Sequence, residues 1–253
     1  MDNRSHDGLT LEIPFANKDR TFDGLGLPEG EAPLYSFAWH PRLVLLPTWQ
    51  LDAKARLLKR IVDIGFALVA VVVLAFPVLL LMLAIRLESP GPVLFKQRRI
   101  GLQGRPFTAL KFRTMHVNAN EPGTLRQTIR NDPRVTRVGH WLRRYSVDEL
   151  PQLINVLRGD MSIVGPRPHA PGTRAGGHLF EDVTQCYGAR HFVKPGLTGL
   201  AQVRGWRGET DTKEKLLHRI DCDFEYIAHW SVGLDLAIIW RTARSVLRMG
   251  NAY

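Results

Sequence analysis

Cysteine is nearly absent from this chain of 253 residues, which contains only Cys186 and Cys222. Two cysteines cannot build a disulfide framework or a four-cysteine zinc site, so both classes of protein are excluded. We therefore expect a reducing, cytosolic environment for the soluble part of the chain. Internal repeats and low-complexity tracts are also lacking. Because 45% of the residues are hydrophobic and 23% are charged, a wholly disordered or fibrous protein is excluded as well.

Acidic residues are scarce relative to basic ones, since 24 Asp and Glu face 34 Lys and Arg. The resulting formal charge of +10, with a pI near 10.1, favours an anionic partner. Nucleic acid, anionic lipid and a phosphorylated small molecule all meet that description. The sequence contains no helix-turn-helix, zinc or stacking-aromatic signature, so we expect no nucleic-acid partner. A membrane-tethered nucleic-acid-binding protein is the weaker alternative.

Charge is missing altogether between Ile64 and Ile85, a run of 22 residues without a strongly polar side chain. As a helix this run is about 33 Å long, close to the thickness of the hydrocarbon core of a bilayer. Pro77 lies past its middle and removes a backbone hydrogen bond. A simple span should have its excess positive charge on one side only, but both flanks here are basic. The basic residues are Lys54, Arg56, Lys59 and Arg60 before the run and Arg86, Lys96, Arg98 and Arg99 after it.

These observations leave two topologies open. The helix either enters the membrane, bends at Pro77 and returns to the same face, or crosses it once with a kink at the proline. Around this anchor, residues 1–53 are predicted to be a flexible extension, residues 54–90 the anchor itself and residues 91–253 a compact domain. The aromatic residues within 34–51 indicate either an interfacial patch or a packed strand.

The compact domain is predicted to be α+β and helix-rich, with a small sheet. Its strands are expected at Val93–Phe95 and Phe107–Leu110, around a turn at Gly101 and Gly104. One helix should begin near Ser146 or near Leu150. Two further amphipathic helices are expected at about 211–228 and 234–249. The last is either a core helix with a basic outer face or a helix on a membrane surface.

Two stretches after the apolar run are rich in basic residues. Such stretches are often merely solvated surface, but next to a membrane segment they favour contact with lipid phosphate or pyrophosphate. The first stretch comprises Lys96, Arg98, Arg99, Arg105, Lys111 and Arg113, and the second comprises Arg126, Arg130, Arg134, Arg137, Arg143 and Arg144.

The adjacent acids Asp148 and Glu149 are the sharpest candidates for chemistry. Ser146 and Glu149 have the spacing of a capping box, which is the purely structural interpretation. In the alternative, the pair lies at the first turn of a helix, where phosphate oxygens also bind. One carboxylate can then attack phosphorus while the other handles a proton or helps to place Mg²⁺. Nearby, Arg167 lies between Pro166 and Pro168, in either a stiff loop that presents its guanidinium or an ordinary turn.

Several motifs, in order, resemble the bacterial sugar transferases, which are monotopic polyprenyl-phosphate phosphoglycosyl transferases. The resemblance covers about residue 54 to the end of the chain. It is carried by Phe95–Gln97 with Arg99 and Gly101, by Lys111–Met115, by Arg143–Ser162, by Gly165–Pro168, by Lys194–Val203 and by Asn251–Tyr253.

The resemblance implies a specific reaction. Members of this family move a sugar 1-phosphate from a UDP-sugar to undecaprenyl phosphate and release UMP, in two steps. Asp148 would carry the phosphosugar covalently and Mg²⁺ would lie at the same site. Glu149 would assist the incoming lipid phosphate, and Arg167 would contact the uridine nucleotide. The expected substrate-binding residues are Lys111, Arg113, Arg143, Arg144 and Arg167.

The resemblance also implies an anchor of the helix-break-helix type, re-entrant at Pro77, although Phe76 stands where many relatives have a serine. The catalytic domain would then lie on the cytoplasmic face of the bacterial inner membrane, with amphipathic helices on its surface. A homodimer is left open. Larger relatives carry extra membrane helices and a further domain before the catalytic part, so we expect a short form.

The sugar is expected to be glucose, transferred in exopolysaccharide synthesis. Residues 205–212 and the later Tyr226, Trp230 and Leu234–Leu236 are similar to those of glucose 1-phosphate transferring members. Galactose or an N-acetylated sugar is the alternative within the same reaction. A catalytically silent scaffold of polysaccharide assembly is a further alternative, disfavoured by the intact Asp148–Glu149 pair.

Overall fold

A computed structural model describes residues 53–117 and 132–247, together with the backbone of 34–37 and 40–45. Most of the predicted extension lies outside these ranges, as do Arg126, Arg130 and the closing residues 251–253. Strands β1 (Leu34–Phe37) and β2 (His40–Leu45) form an antiparallel hairpin. The aromatic segment therefore contains strands, and its packing lies outside what the structure describes.

Helix α1 (Ala53–Glu88) contains the apolar run. Its 36 residues are about 54 Å long, and it is the one helix in the described ranges long and apolar enough to cross a membrane. Only 6% of its most apolar 18-residue window is buried inside the protein, so its side chains are available to lipid. The helix continues through Pro77, and the predicted break at that residue is not confirmed.

Both arms of α1 pack against the same catalytic domain, whereas its middle does not. In the first arm Ala67 is buried in the main core. In the second arm Ile85 is buried in a smaller cluster with Phe112 and Leu142. Between them, from Val71 to Pro77, every residue except Leu74 is exposed. The domain therefore contacts the helix at two separated places, with a lipid-accessible stretch between them.

The first arm of α1 is joined to the domain by a buried charge network, which we call the anchor joint. Asp63 accepts hydrogen bonds from Lys59 Nζ at 3.1 Å, from Ser162 Oγ at 3.0 Å and from the Ile163 N–H at 3.0 Å. Lys59 Nζ also lies 2.8 Å from Asp235 Oδ2. The anchor joint further contains Tyr226 and Trp230, which donate to Asp235. All three hydrogen bonds to Asp63 end on Oδ1, and each oxygen of Asp235 has a cation or a donor, which offsets the burial of charge.

The catalytic domain begins with a hairpin of β3 (Leu94–Ile100) and β4 (Pro106–Phe112). The two strands pair antiparallel around Leu102–Gly104, where Gly104 has φ +71°. The predicted strands and their turn are thereby confirmed. Asn155 fastens the hairpin to the following helix, because its side chain accepts from the Leu110 N–H and donates to the Thr108 carbonyl.

The remaining elements surround one main core. Helices α2 (Arg137–Arg144) and α3 (Gln152–Arg158) precede β5 (Ser162–Val164), and a short pair, β6 (Arg174–Ala175) with β7 (His178–Leu179), follows. Next come β8 (Gly196–Thr198), which pairs parallel to β5, and the helices α4 (Leu200–Val203), α5 (Lys213–Ala228) and α6 (Val232–Leu247). The described part of the chain is thus helix-rich with small sheets, as predicted.

Helix α6 agrees with the first of the two interpretations that its sequence left open, a core helix with a basic outer face. Its inner face is in the core, since Asp235 and Ile238 are buried. Its outer face carries apolar side chains beside arginines, and Trp240 is 68% exposed. Helix α5 agrees with its predicted bounds and is capped by Thr212, whose hydroxyl accepts from the Lys215 N–H.

Candidate active site

The Asp148–Glu149 pair lies in a tight connection between α2 and α3. Ser146 adopts the left-handed conformation with φ +56°, and a single 3₁₀ turn, Val147–Glu149, follows it. Helix α3 begins only after Pro151. Ser146 makes no capping hydrogen bond, so the capping box does not form and the later helix start is the better description. A non-glycine residue in this conformation is strained, and such strain concentrates at functional sites.

Glu149 is held by two basic residues from distant parts of the chain. Lys111 Nζ donates to its Oε1 at 2.7 Å. Arg167 donates through both terminal nitrogens, at 2.6 Å to Oε1 and 2.9 Å to Oε2. A bidentate guanidinium on a carboxylate fixes orientation as well as charge. The predicted residues Lys111, Glu149 and Arg167 are therefore brought together in the structure.

Asp148 is equally buried, at 8% exposure, but it is held far less tightly. Its nearest cation is Lys111, whose Nζ lies 3.9 Å from Oδ2. Among the described residues its carboxylate has no hydrogen-bond donor. The two adjacent acids therefore differ in their contacts. Glu149 accepts three hydrogen bonds from two cations, whereas the carboxylate of Asp148 accepts none from the described residues.

The pKa values of the two carboxyl groups follow this difference. Burial raises the pKa of Asp148, and the charges of Lys111 and Arg143 only partly oppose that effect. Burial also acts on Glu149, but Arg167 and Lys111 outweigh it and hold the pKa of Glu149 well below its usual range. Glu149 is consequently ionised at neutral pH, and its carboxylate holds the side chains of Lys111 and Arg167.

A third basic residue, Arg99 on β3, belongs to the same site. Burial and the neighbouring Arg167 lower its pKa to about 10, whereas Glu149 and Asp148 act in the opposite direction. Arg99 also donates to the carbonyl of Pro168. Sequence reasoning placed Arg99 in a basic stretch and in a family motif but did not select it as a site residue. Its position in that family motif was the feature of the sequence that could have identified it as a site residue.

The other predicted substrate-binding residues lie at different positions. Arg143 Nε donates to Thr114 Oγ1 at 2.8 Å, and its charge acts on Asp148. Arg113 is directed to the end of α1, where Nη2 donates to the Ser89 carbonyl at 2.6 Å and to Ser89 Oγ at 2.9 Å. Arg144 is exposed on α2. Their substrate-binding roles stay predictions.

The loop Gly165–Pro168, which we call the Arg167 loop, is built by close backbone contact with β8. The Gly165 N–H donates to the Thr198 carbonyl, and the Gly196 N–H donates to the Pro166 carbonyl, both at 2.9 Å. A Cβ on Gly196 would come within 2.1 Å of the Gly165 nitrogen, so glycine is required there. Behind the loop lies a cleft lined by Ile100, Gly101, Pro166, Arg167, Pro168, Arg190, His191, Val193 and Pro195.

Buried charged side chains bind the backbone of the Arg167 loop. Arg190 Nη2 donates to the carbonyl of Arg167 at 2.9 Å and to Asp223 Oδ2 at 2.5 Å. Arg190 Nη1 donates to Tyr187 Oη at 2.6 Å. No local sequence pattern marks Arg190 or Asp223, because their partners lie 23 to 33 residues apart in the chain.

The expected Mg²⁺ fits this site only in combination with a substrate. In the described ranges no group of three or more His, Cys, Asp or Glu side chains could hold a metal ion. Magnesium is commonly bound by one or two carboxylates plus substrate phosphates. Asp148, whose carboxylate lacks a hydrogen-bond donor in the described structure, matches that requirement.

Comparisons with known proteins agree with the motifs. The family described as bacterial sugar transferase matches residues 54–249. An undecaprenyl-phosphate glucose phosphotransferase of Komagataeibacter xylinus is 50% identical over 195 residues, which are 77% of this chain and 37% of that protein. A UDP-glucose:undecaprenyl-phosphate glucose-1-phosphate transferase of Caulobacter vibrioides is 52% identical over 195 residues, 77% of this chain and 72% of the relative.

A shorter relative is covered almost completely. The exopolysaccharide production protein PSS of Rhizobium leguminosarum bv. phaseoli is 49% identical over 196 residues, which are 78% of this chain and 98% of that protein. By contrast, the chain spans less than two fifths of the length of the Komagataeibacter protein. The family match covers the anchor, the Asp148–Glu149 turn and the Arg167 loop, and the chain belongs to the bacterial sugar transferase family.

Proposed function

We propose that this protein transfers glucose 1-phosphate from UDP-glucose to undecaprenyl phosphate and releases UMP. Such a transfer is the first membrane step of exopolysaccharide or surface-glycan synthesis. The observation that carries the proposal is the pair of adjacent buried carboxylates, one clamped by cations and one left open. The names of relatives about 50% identical to this chain support the choice of glucose and of the lipid acceptor.

In the first step Asp148 attacks the phosphorus that carries the sugar. A bond forms between a carboxylate oxygen of Asp148 and this phosphorus, and the bond from phosphorus to the oxygen that bridges the two phosphates breaks. UMP leaves with that oxygen and its electron pair. Because the carboxylate of Asp148 has no hydrogen-bond donor among the described residues, it can approach phosphorus without first breaking a strong contact.

In the second step a phosphate oxygen of undecaprenyl phosphate attacks the same phosphorus. The bond from phosphorus to Asp148 breaks, the carboxylate is restored, and the lipid carries a diphosphate linked to glucose. The acceptor phosphate is already an anion, so this step needs little proton transfer. A strongly ionised Glu149 is compatible with that requirement.

The basic residues of the site offset the charge of the two substrates. Arg99, Lys111 and Arg167 surround the two carboxylates, and Arg143 acts on Asp148 from α2. This excess of positive charge in a buried site suits a pyrophosphate, whose negative charge must be stabilised as the leaving group departs. Glu149 holds Lys111 and Arg167 in the orientation that the donor meets. Direct assistance by Glu149 to the acceptor phosphate stays a prediction.

Asp148 would hold Mg²⁺ through its second oxygen, together with the pyrophosphate of the donor. When bound, the ion would neutralise part of the phosphate charge. The need for this ion is part of the proposal.

The proposed anchor is re-entrant. Two observations support this topology: both arms of α1 pack against one catalytic domain, and the stretch between them, from Val71 to Pro77, is exposed except at Leu74. A helix that crossed the bilayer once would place one arm on the far side, away from the domain. We further propose that the catalytic domain lies on the cytoplasmic side of the inner membrane, where the UDP-sugar donor is made. Single-cysteine labelling at positions 54 and 90 should report the same side, and opposite sides would refute re-entry.

The reaction is tested with the full chain in lipid nanodiscs, undecaprenyl phosphate, Mg²⁺ and a panel of UDP-sugars. UMP release should be fastest with UDP-glucose and should fall at least about a thousandfold in Asp148→Asn. Incubation with UDP-glucose alone should add a phosphosugar to the intact protein, detectable by mass spectrometry, and not to Asp148→Asn. Asp182→Asn is the matched control, because Asp182 is an exposed carboxylate outside the site. Full activity of folded Asp148→Asn would exclude the covalent route.

A further inference from the structure

We propose that Arg190 is a positioning residue that fixes the Arg167 loop, and thereby the guanidinium that meets the donor nucleotide. This inference rests on the proposed function, because it concerns the same site. Arg190 itself does not reach the Asp148–Glu149 pair. It acts through the backbone of Arg167, to which it donates a hydrogen bond of 2.9 Å.

The contacts of Arg190 form a continuous buried path. Asp223 on α5 accepts a hydrogen bond from Arg190 Nη2, and the same nitrogen donates to the Arg167 carbonyl. The side chain of Arg167 then holds Glu149 with two hydrogen bonds. Arg190 and Asp223 are both at most 4% exposed, so neither is shared with solvent. A series of direct contacts thus connects helix α5 to the turn Val147–Glu149, which we call the catalytic turn.

The three carbonyls of the Arg167 loop from Pro166 to Pro168 each have their own donor. The Gly196 N–H donates to the Pro166 carbonyl. Arg190 donates to the Arg167 carbonyl, and Arg99 donates to the Pro168 carbonyl. Pro168 restricts Arg167 to extended backbone conformations, and contacts with the Arg167 carbonyl fix its orientation within that range. Arg190 supplies the contact at that point.

The planar fork of arginine is what this position requires. Its two terminal nitrogens serve three acceptors, which are Tyr187 Oη, the Arg167 carbonyl and Asp223. Tyr187 in turn lies 2.9 Å from His169 Nδ1, and the Arg190 guanidinium lies 5.0 Å from the Tyr187 ring centroid. A lysine ammonium retains the charge beside Asp223 but cannot reproduce this geometry. A buried ion pair is a poor source of stability, so a role in orientation accounts better for its presence.

The test compares Arg190→Lys with a matched surface pair on the same helix. Arg204 pairs with Glu225 of α5 in an exposed position, and Arg204→Lys is the control. Arg190→Lys should raise the KM for UDP-glucose about tenfold while the KM for undecaprenyl phosphate changes less than about twofold. Merely reduced folding would lower the apparent kcat and leave both KM values unchanged, and that result would overturn the proposal.

A double-mutant cycle asks whether Arg190 acts through Arg167. In the Arg167→Ala background, Arg190→Lys should have almost no further effect on the donor KM, because the guanidinium that it positions is gone. Independent, multiplicative effects of the two substitutions would overturn the proposal. The neutral pair Arg190→Gln/Asp223→Asn removes both buried charges together and provides a second variant if Arg190→Lys folds poorly.

A measurement without substrate separates this inference from the proposed reaction. Hydrogen exchange of the amides of 165–170 should be at least about tenfold faster in Arg190→Lys than in the wild type, and unchanged in Arg204→Lys. Unchanged exchange in Arg190→Lys would refute the positioning role whatever the activity. If exchange is faster in Arg190→Lys but the wild-type protein releases no UMP with any sugar, the proposed reaction is refuted and the positioning role stands.

Discussion

The anchor joint and the catalytic turn both bury carboxylates, but they satisfy them to different degrees. At the joint, Asp63 and Asp235 are bound by Lys59 and by neutral donors on both sides. At the turn, Glu149 is bound as fully, whereas Asp148 is 3.9 Å from its nearest cation. A buried carboxylate bound by several donors gives a fixed structure, while one without a hydrogen-bond donor keeps its interactions for a substrate.

The largest effect should come from Asp148→Asn, which tests whether the carboxylate without a hydrogen-bond donor is the one that reacts. Turnover should fall at least about a thousandfold, equivalent to about 4 kcal/mol in the barrier. The melting temperature should stay the same or rise, because the substitution removes a buried charge that has no hydrogen-bond donor in the described structure. Parallel UMP-release and thermal-melting measurements check this, and a marked loss of stability would show that Asp148 is structural.

The reverse pattern is expected for Asp63→Ala at the anchor joint. Removing this acid leaves the Ile163 N–H without its acceptor and leaves Lys59 with one carboxylate instead of two, so the free energy of unfolding should fall by about 3 kcal/mol. Glu225→Ala breaks an exposed pair and should cost about 0–1 kcal/mol. Chemical denaturation in detergent micelles provides both values. Equal losses for the two variants would contradict the distinction between the joint and the surface.

Glu149→Gln should separate orientation from nucleophilic attack. The substitution keeps the shape of the side chain but weakens its hold on Arg167 and Lys111. We expect kcat/KM for UDP-glucose to fall about a hundredfold, which is less than for Asp148→Asn. The phosphosugar adduct should still form, slowly, because Asp148 is present. Glu225→Gln is the control, and an adduct-free Glu149→Gln enzyme would make Glu149 the attacking group.

The smallest effect is expected for Tyr226→Phe. The hydroxyl group of Tyr226 donates towards Asp235 Oδ1 at 2.8 Å and lies 3.0 Å from the Val164 carbonyl. Asp235 retains Lys59 and Trp230, so the loss should be about 1 kcal/mol of stability with no change in either KM. Denaturation and steady-state kinetics on the same preparation check this. A change in the donor KM would mean that the joint and the catalytic turn are more tightly coupled than their contacts indicate.

Local pattern was enough to predict much of the fold. The β3–β4 hairpin, α5 and the long apolar helix follow from alternation, periodicity and length, which involve residues close together in the chain. The structure also brings Lys111 and Arg167, both expected at the substrate site, into contact with Glu149. Here the family motifs supplied information that spacing alone did not contain.

The failures of local reasoning share one cause. Ser146 and Glu149 have the spacing of a capping box, but two cations from 38 and 18 residues away bind Glu149 instead. Arg190 was missed because Asp223 and the Arg167 carbonyl are distant in sequence. In both cases the contacts that decide the structure join residues far apart in the chain.

The short distance along the chain from the anchor joint to the Arg167 loop ties the position of Arg167 to that of helix α1. Ile163 is bound to Asp63 of the anchor, and Arg167 follows four residues later, within about 14 Å even if the backbone were fully extended. Arg167 therefore cannot move far from the anchor while the joint is intact. Under the proposed function, the lipid phosphate would have to reach a level that the anchor sets for this arginine.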